Sequence, residues 1–201
     1  MGAFFREKIK NIFETKKEIL DIGGGLRLLK DRGNRYDSNR EWIRPYLDTV
    51  RYRILDPVPD YNPDIVGDIH ALPLENDSID AVICIAVLEH VENPIQACKE
   101  ILRVLRPGGY CFLYLPFLYY YHAKPGYYPD HWRYTRDSIR FLTKGFSEVE
   151  IQNVRGALET WIYLSPLGRV RLFPLLARYG DRLFKKTESN QTSGYHVFLV
   201  K

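Results

Sequence analysis

The chain has 201 residues, of which 45% are hydrophobic and 27% are charged. This length suffices for one substantial core and is short for two, so we predict a single domain over residues 1–201. The formal net charge of +4 is small. Nucleic-acid binding is therefore not expected, because it usually requires a dense basic stripe. No apolar run reaches the roughly 18 to 20 residues that span a bilayer.

The three cysteines, Cys84, Cys98 and Cys111, are widely spaced and contain no C-x-x-C pair. This pattern is typical of buried, reduced thiols, and it predicts a cytoplasmic protein without a bound metal ion. The first residues, MGAFFREKIK, lack the apolar segment of a signal peptide.

Short apolar runs alternate with helical patterns along the chain, which indicates a parallel sheet with helices on its faces. Residues 1–17 are expected to form an N-terminal helix. The predicted strands, in chain order, are 18–23, 52–57, 64–69, 80–88, 109–116, 146–154 and 195–201.

Two further helices are marked by their end signals. The helix that starts near Pro94 should stop at Pro107–Gly109, because proline and glycine interrupt helices. A short helix should begin at Thr135 as its cap and end at Gly145. Residues 155–194 are expected to form a helical insertion before the last strand.

The first predicted strand runs directly into the glycines of EILDIGGG. Glycine lets the backbone turn sharply and approach a ligand closely. In open α/β sheets, ligands bind beyond the carboxyl ends of the strands. A dinucleotide-binding dehydrogenase would need glycine where Leu28 stands and a ribose-binding acid about 20 residues further on. Asp56 comes too late for that spacing, so this class is disfavoured.

Three aspartates, Asp21, Asp56 and Asp68, lie at the ends of the first three predicted strands. A ligand lying across this edge of the sheet would meet all three. Asp56 is suited to accept two hydrogen bonds from a ribose diol, Asp68 to accept one from an exocyclic amine, and Asp21 to face a cationic amino group. Each aspartate alone is commonly explained as the start of a turn, whereas the three in this arrangement favour a ligand site.

Four segments together resemble the class I S-adenosylmethionine-dependent methyltransferases of type 11. They are ILDIGGG, ILDP, GDIHALPLENDSIDAVICIAVLEHV and EILRVLRPGGYCFLYLP. The resemblance covers roughly residues 18–155. It implies an α/β, Rossmann-like, doubly wound sheet of seven strands whose last strand is antiparallel. It also implies S-adenosyl-L-methionine as cofactor and S-adenosyl-L-homocysteine as product.

The same resemblance implies which residues hold the cofactor. They are Asp21, Gly23, Gly24, Gly25, Asp56, Pro57, Asp68, Ile69, Ile85 and Ala86. One departure is Arg27, which stands where many members have the last glycine of G-x-G-x-G. The stretch from Leu28 to Val50 is also long and polar, which leaves the position of the first crossover helix open.

Residues 117–135 form a loop rich in tyrosine, histidine and tryptophan, and we interpret it as the acceptor site. Methyl transfer requires an aligned acceptor and a dry pocket. Orientation of the acceptor can lower the activation barrier by about 7–11 kcal/mol. This is the larger effect, because a general base raises the rate only about 10²–10⁴-fold. The loop is similar to one in small glycan-associated methyltransferases. The predicted acceptor-binding residues are Tyr120, Tyr121, Tyr128, Asp130, Trp132 and Arg133.

His122 and His131 are the candidate catalytic bases in this loop, because either could take a proton from a hydroxyl. Alternatively, both histidines order the loop, and Asp130 pairs with Arg133 as a structural clamp.

IAVLEHV stands where many nitrogen-modifying methyltransferases have the motif N/D-P-P-Y/F, and the Pro-Cys pair of cytosine-C5 enzymes is absent from the sequence. We therefore expect methyl transfer to an oxygen of a small molecule or glycan. The alternatives are an inactive S-adenosylmethionine-binding partner subunit and an RNA-binding methyltransferase. The segment 159–186, both basic and aromatic, either contacts a membrane surface or covers the sheet with a solvated basic face. The sequence leaves the oligomeric state open.

Overall fold

The computed structural model describes residues 2–31 and 36–201. In this part of the chain, seven strands form one sheet in the order β3-β2-β1-β4-β5-β7-β6. The strands are β1 (Glu18–Ile22), β2 (Arg51–Asp56), β3 (Ile65–Val66), β4 (Ile79–Ile85), β5 (Leu105–Pro116), β6 (Glu148–Asn153) and β7 (Gly194–Val200). Strand β7 is antiparallel to both neighbours, and the pairs among β1 to β5 are parallel. The predicted fold class is confirmed.

Side chains of alternate residues on the central strands enter two separate cores. On one face, Ile19 and Ile83 pack with helix α1 (Ala3–Thr15). On the other face, Leu20 and Val82 pack with helices α2 (Pro94–Val104) and α3 (Arg136–Leu142). Both faces of β1 and β4 are therefore apolar, as expected for central parallel strands. The cysteines Cys84, Cys98 and Cys111 are buried free thiols.

Helix α2 ends earlier than its sequence predicts. The Asn93 side chain caps its first turn by accepting a hydrogen bond from Gln96 N at 3.1 Å. The helix stops at Val104 because Leu105 already pairs with Ile79 of β4. The segment Pro107–Gly109 therefore does not stop the helix; it lies within β5, where the ladder shifts register. Two predicted strands are also shorter than expected. The prediction 64–69 corresponds to Ile65–Val66, and the prediction 80–88 corresponds to Ile79–Ile85.

The first crossover, between β1 and β2, contains a 3-10 helix, Ser38–Thr49, instead of an α-helix. Pro45 lies inside it and supplies no backbone N–H for an α-helical hydrogen bond. Arg27 adopts a φ of 54°, in the left-handed region that favours glycine. The arginine thus keeps the backbone turn that the family's usual glycine would make.

The insertion between β6 and β7 consists of α4 (Ala157–Leu164) and α5 (Leu172–Leu183), joined by a 3-10 turn. Buried Asp181 of α5 accepts hydrogen bonds from Leu158 N at 2.8 Å and Glu159 N at 2.9 Å, and so caps the start of α4. Across residues 2–31 and 36–201, every helix is too short or too polar to cross a membrane.

Gly25→Ala should destabilise the fold. A Cβ at this position would lie 2.7 Å from Ile85 Cβ and 2.8 Å from Ile85 O at the end of β4, so the backbone would have to shift. We expect a loss of about 1–3 kcal/mol in the free energy of unfolding, measured by urea denaturation. Gly2→Ala is the matched control, because nothing lies within 4 Å of its Cβ. Equal midpoints for the two variants would contradict this account.

Candidate active site

A cleft of about 840 Å³ opens at the carboxyl ends of the central strands. Its walls include eight of the ten predicted cofactor-binding residues: Gly23, Gly25, Asp56, Pro57, Asp68, Ile69, Ile85 and Ala86. Aromatic residues of the loop 117–135 form the opposite wall, among them Tyr119 and Tyr128. The parallel topology and this loop therefore create one continuous cavity.

Asp21 lies behind the glycine turn and holds its shape. Its carboxylate is fully buried and accepts hydrogen bonds from Gly25 N at 3.1 Å, Leu26 N at 3.0 Å and the Tyr52 hydroxyl. Burial raises the pKa of Asp21 to about 6, and the hydrogen bonds from Tyr52 and Leu26 limit the rise. Its direct contact with the methionine end of a cofactor stays a prediction.

Asp56 and Asp68 differ in their surroundings. Asp56 is buried at the end of β2, accepts a hydrogen bond from Val58 N at 2.9 Å, and has a pKa raised by burial. Asp68 is exposed, and its Oδ1 accepts a hydrogen bond from His70 N at 2.9 Å, which lowers its pKa. The His70 ring also lies 2.7 Å from this oxygen, so Asp68 is oriented from two sides.

The loop 117–135 is tied to the turn Leu88–Val91 that follows β4. The Tyr134 hydroxyl donates to Leu88 O at 2.6 Å. The backbone N–H of His131 donates to Glu89 O at 2.8 Å, and the Trp132 ring N–H donates to Val91 O at 2.8 Å. We call these contacts the loop seam. They fix the aromatic wall to the strand end that also carries Ala86.

The carboxylate of Glu89 is fully buried beneath this seam, and neither of its oxygens has a hydrogen-bond partner. His122 Nε2 lies 3.6 Å from Glu89 Oε1, an ion-pair distance rather than a hydrogen bond. The pKa of His122 is raised, chiefly by the Glu89 carboxylate. His122 Nδ1 lies 3.0 Å from Tyr120 O, and since a carbonyl only accepts, this nitrogen carries a proton. Nε2 of neutral His122 is thus the basic atom.

A contact between two tyrosines spans the mouth of the cleft. The ring of Tyr61, which follows β2, stacks on Tyr127 of the loop with centroids 5.6 Å apart. Lys124 Nζ donates to the Tyr61 hydroxyl at 2.9 Å and lies 3.8 Å from the Tyr127 ring centroid. We call this contact the tyrosine strap.

Residues 47–113 match the family model for a methyltransferase domain. An uncharacterised methyltransferase of Mycobacterium bovis is 30% identical over 103 residues, which are 46% of this chain and 37% of that protein. The ubiquinone/menaquinone biosynthesis C-methyltransferase of Ruegeria sp. is 28% identical over 99 residues, 46% of this chain and 40% of that protein. The chain thus spans about two fifths of the length of these curated relatives.

A crystal structure of a methyltransferase from Archaeoglobus fulgidus superposes with a TM-score of 0.63 and 14% identity, and it covers 99% of this chain and 92% of that one. Residues 47–113 thus resemble a methyltransferase domain, and the chain has the fold of the S-adenosylmethionine-dependent methyltransferases.

Most of the residues predicted to bind the acceptor have contacts within the protein itself. Asp130 and Arg133 form a clamp, with Arg133 nitrogens 2.5 and 2.8 Å from the two carboxylate oxygens. The pKa of Asp130 is lowered to about 2, chiefly by Arg133. The Tyr120 hydroxyl donates to Tyr163 O at 2.6 Å. The clamp is the alternative that the sequence left open, and acceptor contact by these residues stays a prediction.

The predicted residues divide into cleft walls and loop surface. Tyr128 and His122 line the cleft. Tyr121 is 78% exposed, and the half-exposed Trp132 belongs to the loop seam. His131 is exposed and contributes its backbone N–H to the seam. Gly24 lies in the turn with φ 57°, where glycine is favoured.

Sequence reasoning missed Glu89. The available signal was a glutamate next to a histidine shortly after a buried strand. His90 Nδ1 lies 2.6 Å from Pro129 O, and burial lowers the pKa of His90. Arg155 was also missed; it lines the cleft and lies over the Tyr163 ring at 4.0 Å.

Glu89, His90 and His122 could together hold a metal ion. One ligand atom from each lies within 4.8 Å of the others. The same geometry also fits a different role, in which the Glu89 carboxylate stabilises the charged imidazole of His122.

Removing the clamp should loosen the loop. In Arg133→Ala, the buried carboxylate of Asp130 loses two charge-assisted hydrogen bonds, and Tyr120 O loses another. Because such a bond contributes about 1.5–3 kcal/mol, we expect chymotrypsin to cleave within 117–135 about 10-fold faster or more. The control is Arg140→Ala, which removes only an exposed ion pair of 3.7 Å with Asp137. Equal cleavage rates would show that the clamp does not order the loop.

Proposed function

We propose that this protein transfers a methyl group from S-adenosylmethionine to an oxygen atom of a small-molecule or glycan acceptor. One observation carries the proposal: a single cleft joins the strand-end acids to the loop wall that contains His122, whose Nε2 lies 3.6 Å from the buried carboxylate of Glu89. The match of residues 47–113 to a methyltransferase domain supports the reaction class. The acceptor is inferred from the chemistry of the loop wall.

The cofactor end of the cleft fits a nucleoside. Its volume of about 840 Å³ lies within the range of about 300–1,000 Å³ typical of ligand pockets. Asp56 lines this end beside the glycine turn and would accept hydrogen bonds from a ribose diol. Arg27 and Arg40 also line this end and could face a carboxylate. When bound, S-adenosylmethionine supplies an electrophilic methyl group.

The aromatic wall would position the acceptor. Tyr114, Tyr119 and Tyr128 line the cleft, and the loop seam and the clamp hold the loop in place. Aromatic rings stack on flat ring substrates, so this wall suits a sugar or a similar ring. A fixed wall provides orientation, which can contribute about 7–11 kcal/mol to a bimolecular reaction.

His122 would accept the proton that the acceptor hydroxyl loses. Its Nδ1 is held by Tyr120 O, which leaves Nε2 of the neutral ring free to take a proton. The buried Glu89 carboxylate then stabilises the imidazolium at 3.6 Å. This arrangement also gives the unpartnered carboxylate of Glu89 a role. We favour oxygen because a hydroxyl must lose its proton on methylation.

Asp56→Ala should weaken the binding of S-adenosylmethionine and S-adenosylhomocysteine about 10- to 100-fold, because hydrogen bonds to a charged group contribute about 1.5–3 kcal/mol. Isothermal titration calorimetry measures the affinity. The control is Asp48→Ala, an exposed aspartate of the 3-10 helix in the first crossover. If the wild-type protein gives no heat with either nucleoside, the cofactor assignment is wrong.

His122→Ala should lower kcat about 10²–10⁴-fold with cofactor affinity unchanged, and His131→Ala should leave kcat near the wild-type value. The base must be neutral, and its pKa is raised above 6.5. Wild-type kcat should therefore increase with pH through a midpoint above 6.5 and then level off, and the His122 variant should lack this rise. An acceptor screen with radiolabelled methyl groups supplies the substrate.

Three results would redirect the assignment. Turnover that disappears with EDTA and returns with a divalent ion would make Glu89, His90 and His122 a metal site and remove the base role. Cofactor binding without turnover on any acceptor would favour the inactive partner subunit. RNA affinity that falls steeply with salt would favour the RNA-binding methyltransferase.

A further inference from the structure

Helix α5 exposes an apolar stripe to solvent. Leu172, Leu175, Leu176, Tyr179 and Leu183 are each at least 57% exposed. Because successive helical residues are about 100° apart, these five side chains lie within about 60° of a single line along the helix. Such a stripe normally faces the core of a protein.

The opposite side of α5, which packs against α4, is small and polar. Ala177 and Asp181 are buried there, and Asp181 caps α4. A Cβ on Gly180 would lie 3.0 Å from Leu158 Cδ1, so glycine allows the close approach of the two helices. The hydrogen bonds of Asp181 to α4 fix this orientation, which leaves the leucines facing solvent.

Adjoining residues extend the stripe into a larger surface. We define the α5 surface as the exposed apolar residues Trp161, Leu167, Val170, Leu172, Leu175, Leu176, Tyr179, Leu183 and Phe184. Large exposed apolar patches with a polar rim mark sites of interaction.

The exposed charges around this surface have one sign. In the segment 159–186 the exposed ionisable residues that carry charge at neutral pH are Arg169, Arg171, Arg178, Arg182, Lys185 and Lys186. The two acids of the segment, Glu159 and Asp181, are buried. Glu159 pairs with Arg178 at 2.6 Å and so offsets this one charge, and Asp181 caps α4. The rim stays positive through Arg169, Arg171, Arg182, Lys185 and Lys186.

We propose that the α5 surface lies in the headgroup layer of an anionic lipid bilayer. An amphipathic helix with basic flanks and leucine and aromatic residues on its apolar face is the usual form of an interfacial helix. Anionic headgroups would neutralise the rim while the leucines leave water. A symmetric contact between two copies is less favourable, because it would bring the same basic rims together.

The α4–α5 layer borders the acceptor end of the cleft. Tyr163 of α4 accepts the hydrogen bond from Tyr120 and lies with its ring centroid 6.1 Å from that of Tyr119, which lines the cleft. A protein bound through the α5 surface would therefore meet acceptors presented at the bilayer surface. This second step rests on the proposed methyl transfer, whereas lipid binding itself does not.

The test is co-sedimentation of the full chain with vesicles of phosphatidylcholine containing phosphatidylglycerol, at low salt. We expect binding that decreases when phosphatidylglycerol is omitted. Leu175→Asp combined with Tyr179→Asp should lower the partition coefficient at least 10-fold. Arg171→Gln should lower it about fivefold, since one basic residue near an anionic surface contributes about that factor. Phe141→Asp on α3, which is 55% exposed, is the matched control.

Circular dichroism and thermal unfolding should show that each variant is folded. Because vesicle binding is measured directly, the test does not depend on cofactor binding or turnover. The proposal would be overturned if the wild-type protein did not bind anionic vesicles, or if the wild type and the double variant bound them equally. Light scattering without lipid provides the third outcome. A wild-type dimer that becomes a monomer in the double variant, with no vesicle binding, would assign the surface to a second copy.

Discussion

The loop seam is the constraint on which the site depends. The backbone carbonyls of Leu88, Glu89 and Val91 accept hydrogen bonds from the loop 117–135. The turn that provides these carbonyls follows β4 directly, so the strand that leads to Ile85 and Ala86 on one side of the cleft also fixes the aromatic wall on the other side. The two ends of the cleft therefore have a common support, and their spacing does not depend on a flexible linker.

Much of the fold follows from the sequence because its cause is local. Apolar runs that are buried on both faces reveal central strands, and every predicted strand is present. The misplaced boundaries have tertiary causes. Helix α2 ends at Val104 because β4 provides a pairing partner for Leu105. The 3-10 helix of the first crossover depends on Pro45 and on the turn at Arg27. The glycine pattern of the sequence alone could not place this helix.

The site was only partly predictable, for a related reason. Strand-end acids point to a ligand because all parallel strands end at one edge, and Asp56 and Asp68 indeed line the cleft. The loop residues have no such periodicity, so their side-chain directions depend on tertiary contacts. Tyr120 bonds α4, and Trp132 bonds the turn after β4. Glu89 acquires its importance only when the fold brings His122 to it.

The tyrosine strap affects how a nucleoside could enter and leave. Its ring stack, worth about 0.5–1.5 kcal/mol, connects the turn after β2 to the loop that forms the opposite wall. Exchange of product for fresh cofactor along this route requires the two rings to separate. Separation would also break the hydrogen bond from Lys124 Nζ to the Tyr61 hydroxyl, while the loop seam keeps the remainder of the loop anchored. If the protein is the enzyme proposed above, turnover could then be governed by the opening of a small gate, with the aromatic wall kept intact between cycles.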